Sequence, residues 1–174
     1  MKVLVAVASK YGGTQEIAYT IGKIISKCGI DTDIKNVEAD GDVSAYDAVV
    51  LGSAVYHGNW LKSARDFVDK HADELASRPT WLFSSGPIGS PSKPADDEQV
   101  LVAKILPEIK AREHRIFSGK LDRSKLNLRE RAIVSVVREA DGDFRNWGDV
   151  FSWAYSIAEA LRKESKLKTA DSFK

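Results

Sequence analysis

The N-terminal stretch constrains the fold more than any other feature of the chain. It consists of an apolar run, a glycine-rich turn and an amphipathic pattern. Residues 2–8 form a strand pattern in which every residue after Lys2 is apolar and Val3, Val5 and Val7 are β-branched, which is typical of a strand buried on both faces. Residues 15–28 carry isoleucines at helical spacing, namely Ile17, Ile21, Ile24 and Ile25. The residues between these runs therefore form a short turn from a strand into a helix.

The turn at residues 9–14 predicts a site for a single phosphate monoester. A turn into a helix directs backbone N–H groups and the positive end of the helix dipole toward one point, which favours an anion. The turn lacks G-x-x-x-x-G-K-[ST] and G-x-G-x-x-G, so a triphosphate loop and a dinucleotide fingerprint are both excluded. A tight connection in which Thr14 only caps the helix is the alternative.

Further along the chain, predicted strands alternate with predicted helices. The strands cover residues 2–8, 30–37, 47–52, 80–85 and 114–120. The helices cover residues 15–28, 60–76, 126–138 and 149–163. One more helix is predicted after Asp96 and Asp97, either of which could cap it. This alternation predicts an α/β fold, a doubly wound five-stranded parallel sheet with helices on both faces.

Glycine-containing loops follow the first, third and fourth predicted strands. They cover residues 9–14, 52–58 and 85–94. In a sheet of order 2-1-3-4-5 these strand ends are adjacent, and such sheets bind ligands at the carboxyl ends of their strands. We therefore expect the loops to form one ligand site.

With these loops in place, the chain resembles the flavodoxin-like family, and within it the branch of menaquinone-dependent protoporphyrinogen IX dehydrogenases. The resemblance extends over nearly the whole chain. It rests on Ser9-x-x-Gly12-x-Thr14-x-Glu16-Ile17-Ala18, Tyr56-x-Gly58, Ser118-Gly119-Lys120-Leu121 and Asp143-Phe144-Arg145-Asn146-Trp147.

The resemblance implies that FMN is the cofactor and that the glycine-containing loops hold it. The first loop matches the FMN phosphate loop, with Ser9, Lys10, Tyr11, Gly12, Gly13 and Thr14. The second matches the loop along the isoalloxazine ring, with Ser53, Ala54, Val55, Tyr56, His57 and Gly58. The third matches the other flavin-side loop, with Ser84, Ser85, Gly86, Pro87, Ile88 and Gly89.

The chain departs from the family pattern after the fifth predicted strand. Long-chain flavodoxins interrupt that strand, whereas this chain carries an insertion of about residues 122–146 behind it. The dehydrogenase branch has extra aromatic residues there, and this insertion is mostly aliphatic and basic. We expect one FMN-binding domain over residues 1–164, with this extra helical segment before the last helix, and a polar tail over 165–174.

Individual aromatic and histidine residues allow two interpretations each. Tyr56 and His57 either flank the flavin ring or pack on the next helix, and Trp60 is either a ring contact or a core residue. His71 is expected in the core, and His114 is expected to be structural or solvent-facing. His57 is the one candidate for a general base, and a peptide near Gly58 is a candidate partner for flavin N5. No cluster has metal-ligand spacing, so no metal is expected.

The segment 120–138 is basic and amphipathic. Its basic residues are Lys120, Arg123, Lys125, Arg129, Arg131 and Arg138, and its apolar stripe is Leu126, Ile133, Val136 and Val137. Such a helix suits an anionic membrane surface or the cover of a quinone pocket. The alternative is a solvated helix packed on the edge of the sheet.

Composition and charge narrow the class of function. A net charge of +1 argues against nucleic acid and against the acidic docking surfaces that electron carriers use. The chain starts directly with a strand and contains one cysteine, from which we expect no signal peptide and a cytoplasmic setting. Peripheral contact at the inner face of the membrane follows only if the basic segment 120–138 lies on that surface.

The leading functional hypothesis is an FMN-dependent oxidoreductase that passes electrons from a small organic donor to a quinone. The alternatives are a flavodoxin-type electron carrier between protein partners and a flavodoxin-fold binding module without redox activity. A homodimer is compatible with each of them.

Overall fold

The computed structural model describes residues 1–39, 42–56, 58–86, 105, 108–122, 124 and 142–171, with side chains up to residue 167. Its main sheet contains the parallel strands β1 (Lys2–Ala8), β2 (Asp31–Asn36), β3 (Ala48–Tyr56), β5 (Thr80–Ser85) and β6 (Glu113–Phe117). The strand order is β2-β1-β3-β5-β6, which confirms the predicted order 2-1-3-4-5.

Helices cover both faces of the sheet, because the side chains of the central strands alternate between two cores. Val3, Val5 and Val7 of β1 pack with the helices α1 (Gly13–Lys27) and α4 (Trp147–Asp171). Leu4, Ala6 and Ala8 pack on the other face with α2 (Lys62–Lys70). Burial on both faces explains why β1 reads as a continuous apolar run. The predicted doubly wound α/β fold is confirmed.

The third strand is longer than predicted, and most of the predicted loop at 52–58 belongs to it. β3 pairs with β1 through Ser53 and with β5 through Ala54, and its last two residues pair antiparallel with β4 (Asn59–Trp60). Gly52 suggested a loop but has a packing role, since a Cβ there would lie 1.9 Å from the Phe83 ring. The prediction was wrong because glycine inside a strand also marks a close approach of another group.

The helix predicted over 60–76 is interrupted at His71, whose backbone (φ −118°, ψ 23°) leaves helical values between α2 and α3 (Ala72–Ala76). The ring of His71 is buried against Phe67 at 4.8 Å between centroids, which confirms His71 as a core residue. Trp60 belongs to β4 and is 2% exposed in the core beneath α2, so its core interpretation is confirmed.

The fifth strand ends at Phe117, and residues 120–121 form a separate element. β7 (Lys120–Leu121) pairs antiparallel with β8 (Gly142–Asp143), so the two ends of the insertion meet in a two-stranded sheet. The predicted helix 126–138 lies outside the described residues, as do the basic and apolar residues named for it beyond Lys120.

The last helix is longer than predicted and includes most of the expected polar tail. α4 continues through residues 165–171, so the helix extends beyond its predicted end at residue 163. Alanine, leucine, lysine and glutamate are good helix formers, and a Glu159–Lys163 pair (2.8 Å) supports the helix at the usual i,i+4 spacing. A polar composition alone therefore did not mark the end of the helix.

Candidate functional site

The first loop forms a left-handed turn at the start of α1. Gly12 precedes the helix with φ 89°, a conformation that favours glycine, and its N–H donates to Ser9 Oγ at 3.2 Å. Thr14 lies inside the first helical turn, is 4% exposed and is not the N-cap of the helix, because Gly12 occupies that position. The N–H groups of the first turn have no partner within the helix, so this end suits an anion.

The first loop contacts the end of β3 through aromatic and cationic groups. The rings of Tyr11 and Tyr56 are arranged edge to face with 6.4 Å between centroids. Lys10 Nζ lies 5.3 Å from the centre of the Tyr11 ring and 5.6 Å from that of Tyr56. These contacts bring the first and second predicted site segments together at the carboxyl ends of adjacent strands.

At the end of β3, backbone and aromatic groups are accessible to a ligand, whereas the Ser53 hydroxyl is not. Ser53 is fully buried, accepts from the Leu61 N–H at 3.1 Å and donates to the Ala54 carbonyl at 2.8 Å. Ala54 is also buried, whereas Val55 and Tyr56 are half-buried, and Gly58 adopts φ 72° in the turn toward β4. His57, predicted as a ring contact and candidate base, lies outside the described residues.

The end of β5 is held by a hydrogen-bond chain inside the protein. Trp60 Nε1–H donates to Ser84 Oγ at 2.8 Å, and Ser84 Oγ is 2.9 Å from Nε2 of His114. Ser85 is buried, and Gly86 (φ 127°) donates its N–H to the Phe117 carbonyl at 3.0 Å. These contacts fix the third site segment up to residue 86, while Pro87, Ile88 and Gly89 lie outside the described residues.

Burial lowers the pKa of His114 to about 4, so the ring is neutral at physiological pH. A neutral ring can accept the Ser84 O–H at Nε2 while Ser84 accepts from Trp60. His114 therefore has the structural role that was one of its two predicted interpretations.

We expect this histidine to make the protein less stable in mild acid. An unfolded histidine takes up a proton near pH 6.5, whereas folded His114 remains neutral down to about pH 4. Stability is therefore lost as the pH falls from 6.5 toward 4. We expect a loss of about 1 kcal/mol between pH 7.5 and 5, discounted because His114 is only partly buried. Urea unfolding of wild type and His114→Gln at both pH values measures it, and an equal pH dependence of the two proteins would exclude His114 as the source.

Arg145 is a functional candidate that no sequence pattern indicates. Its side chain is 2% exposed, and Nη1 donates to the Gly13 carbonyl in the first loop at 3.0 Å. Nη2 lies 2.7 Å from a Glu16 carboxylate oxygen and 2.5 Å from one of Asp143, and Nε donates to the other Asp143 oxygen at 2.7 Å. Hydrogen bonding from Arg145 lowers the pKa of Asp143. No local signal could show that Arg145 reaches a turn so distant in sequence.

Among the described residues, no group of three histidine, cysteine or acidic side chains is arranged to hold a metal ion. The helices in the described part of the chain also include none that is long and apolar enough to cross a membrane.

Comparisons with known proteins agree with this fold. A family model described as Flavodoxin domain matches residues 4–146. Protoporphyrinogen IX dehydrogenase (quinone) of Escherichia coli strain K12 is 25% identical over 177 residues, covering 94% of this chain and 98% of that protein.

Solved flavodoxins share the fold at lower sequence identity. Flavodoxin 2 from Bacillus cereus has a TM-score of 0.60 at 21% identity, covering 92% of this chain and 99% of that one. A flavodoxin mutant from Pseudomonas aeruginosa has a TM-score of 0.60 at 18% identity, covering 93% and 99%. Because the family model spans most of the sequence, the chain belongs to the flavodoxin domain family, whose cofactor, FMN, is the one predicted from the sequence.

Proposed function

We propose that the chain is an FMN-dependent oxidoreductase that passes electrons from a small organic donor of the protoporphyrinogen type to a quinone. The observation that carries this proposal is the match to protoporphyrinogen IX dehydrogenase (quinone), which covers 94% of this chain and 98% of that protein and so includes the insertion behind strand five. A fold match alone would not favour an enzyme over a carrier.

In this proposal the first loop holds the FMN phosphate. The N–H groups at the start of α1 and the hydroxyls of Ser9 and Thr14 supply the donors, together with the backbone from Lys10 to Gly13. The left-handed Gly12 and the uncapped helix start support this assignment, because they leave donors directed at one point.

The ends of β3 and β5 form the proposed ring site. Val55, Tyr56 and the Gly58 turn contribute an apolar and aromatic wall, and Ala54, Ser85 and Gly86 contribute backbone. The buried Ser53 and Ser84 hydroxyls act by fixing these strand ends. His57, Pro87, Ile88 and Gly89 complete the proposed contact set from the sequence.

FMN supplies the redox chemistry when it is bound, since its ring accepts and returns electrons. The chain positions the ring, excludes water from one side of it and places backbone groups near its edge. The neutral His114 keeps the Ser84–Trp60 contact free of added charge at physiological pH. His57 is the candidate for proton transfer.

A flavodoxin-type electron carrier is the second candidate function. The similarity to solved flavodoxins favours it, because this chain covers up to 99% of the length of those proteins. The net charge of +1 disfavours it, since carriers commonly use acidic surfaces to reach their partners.

Anaerobic half-reactions separate the two functions. The bound flavin is reduced under anaerobic conditions with protoporphyrinogen and, separately, with a reductase and its nicotinamide cofactor. The reduced protein is then mixed with menaquinone or with a protein acceptor, and flavin absorbance is followed. The proposal predicts reduction by protoporphyrinogen and rapid reoxidation by menaquinone. Reduction only by the reductase and reoxidation only by a protein acceptor would assign a carrier.

The insertion is proposed to provide access to a lipidic quinone or to the inner face of the membrane. We expect replacement of its basic residues by glutamine to leave the flavin spectrum intact and to weaken binding to anionic vesicles at least tenfold, because each basic group near such a surface contributes about 1 kcal/mol. The variant changes Arg123, Lys125, Arg129 and Arg131. Vesicle sedimentation and the KM for menaquinone measure the effect.

A control variant removes the same number of charges from exposed positions on α1 and α2. It changes Lys23, Lys27, Lys62 and Lys70 to glutamine. Equal vesicle binding and equal KM in the two variants would show that the insertion has no special part in access.

A further inference from the structure

We propose that Arg145 is a positioning residue for the phosphate group of the cofactor, and that it connects the C-terminal end of the insertion to the first loop. This inference rests on the FMN site proposed above. It concerns a residue far from the first loop in sequence, whose side chain is nevertheless 2% exposed and hydrogen-bonded to Gly13.

Arg145 fixes the orientation of one peptide at the start of α1. The carbonyl of Gly13 and the N–H of Thr14 belong to the same trans peptide and so point in opposite directions. Arg145 Nη1 donates to that carbonyl at 3.0 Å. Because Arg145 fixes the Gly13 carbonyl, the Thr14 N–H stays directed toward the turn that precedes the helix. The proposed phosphate lies at that turn.

Arg145 also compensates an unfavourable charge beside the proposed phosphate. Glu16 lies in the first turn of α1, and its carboxylate would repel a nearby anion. Arg145 Nη2 lies 2.7 Å from one Glu16 oxygen, and Lys120 Nζ lies 3.9 Å from the other. Removal of Arg145 would leave this carboxylate less compensated.

The guanidinium is itself held in one place by the end of the insertion. Asp143 binds it through both carboxylate oxygens, and the Trp147 ring lies 4.5 Å from the guanidinium carbon. Asp143 belongs to β8, which pairs with β7, and a Cβ at Gly13 would be 3.5 Å from Lys120 Cβ of β7. Both ends of the insertion thus contact the first loop. A substitution at either end should therefore affect the proposed phosphate site.

The test compares the affinities of apoprotein for FMN and for riboflavin, which has the same ring without the phosphate. For Arg145→Gln we expect FMN affinity to fall about tenfold or more, because charge-assisted hydrogen bonds are among the stronger ones. Riboflavin affinity should change less than twofold. Arg145→Lys keeps the positive charge but not the planar set of N–H donors of the guanidinium. It should therefore recover part of the preference for FMN over riboflavin.

Two further variants separate positioning from folding. Asp143→Asn leaves Arg145 in place but weakens its support, so it should lower the FMN-to-riboflavin affinity ratio less than Arg145→Gln does. Arg78→Gln is the structural control, since Arg78 is part-buried and donates to the Tyr46 carbonyl at 2.8 Å, among core loops. It should lower the melting temperature without changing the ratio.

Each outcome decides the proposal. If Arg145→Gln does not fold, Asp143→Asn gives the ratio instead. A wild-type preference for FMN that Arg145→Gln and Asp143→Asn leave unchanged overturns the positioning role while the proposed phosphate site stands. A parallel loss of both affinities also overturns it. A wild-type apoprotein that binds riboflavin as tightly as FMN overturns the phosphate site, and this inference with it.

Discussion

Thr14→Ala is expected to bind FMN about ten- to a hundredfold more weakly than the wild-type protein. Thr14 is 4% exposed in the first turn of α1, and Gly12 rather than Thr14 is the N-cap, so we assign the Thr14 hydroxyl to the proposed phosphate. A hydrogen bond to a charged group contributes about 1.5–3 kcal/mol, and each 1.4 kcal/mol corresponds to about a tenfold change in affinity. Titration of FMN into apoprotein, followed by quenching of flavin fluorescence, measures the change.

A second threonine on the same helix provides the control. Thr20 Oγ1 donates to the Glu16 carbonyl at 2.9 Å within α1, away from the helix start. Thr20→Ala should leave the affinity for FMN within about twofold of wild type. An affinity of Thr14→Ala that is equally close to wild type would show that the Thr14 hydroxyl does not bind the phosphate.

Gly52→Ala is expected to lower the free energy of unfolding by about 3 kcal/mol, the upper part of the range for overpacked cores. Its added methyl carbon would lie 1.9 Å from Phe83 Cζ. The ring cannot move aside without cost, because Phe83 is fully buried and packs against both Phe117 and Trp153, each with its ring centroid 6.1 Å away. Gly52 has no left-handed backbone in β3, so the cost is steric. Urea unfolding measures it.

A double-mutant cycle with Phe83→Leu tests the cause. Leucine at position 83 lacks the outer ring atoms that the alanine would meet, so the two changes should be less damaging together than the sum of their separate effects. We expect a coupling of at least about 1 kcal/mol. If the two losses of unfolding free energy are strictly additive, contact with the Phe83 ring is not the cause of the effect of Gly52→Ala.

The sheet, its strand order and the first loop were predictable from the sequence because their signals are local and consistent. The apolar run of β1 and the isoleucine spacing of α1 each reflect burial in one of two cores. The order 2-1-3-4-5 follows from alternating strands and helices, combined with the resemblance to the family.

The remaining features depend on contacts that no local pattern contains. Gly52 looked like a loop residue because its partner Phe83 lies on the neighbouring strand. No role was predicted for Arg145, because its partners Gly13 and Glu16 are distant in sequence. The pairing of β7 with β8 is likewise formed by segments separated by the insertion. In each case tertiary contacts decided a feature that local propensity left open.

We infer that the turn between β1 and α1 binds a flavin with one terminal phosphate. The most direct measurement is identification of the cofactor that acid releases from the purified protein, by chromatography against FMN, FAD and riboflavin standards. We expect FMN as the main species, at about one equivalent per chain, because the loop accommodates one phosphate and the chain lacks a dinucleotide fingerprint. Release of FAD or riboflavin as the main species would contradict it.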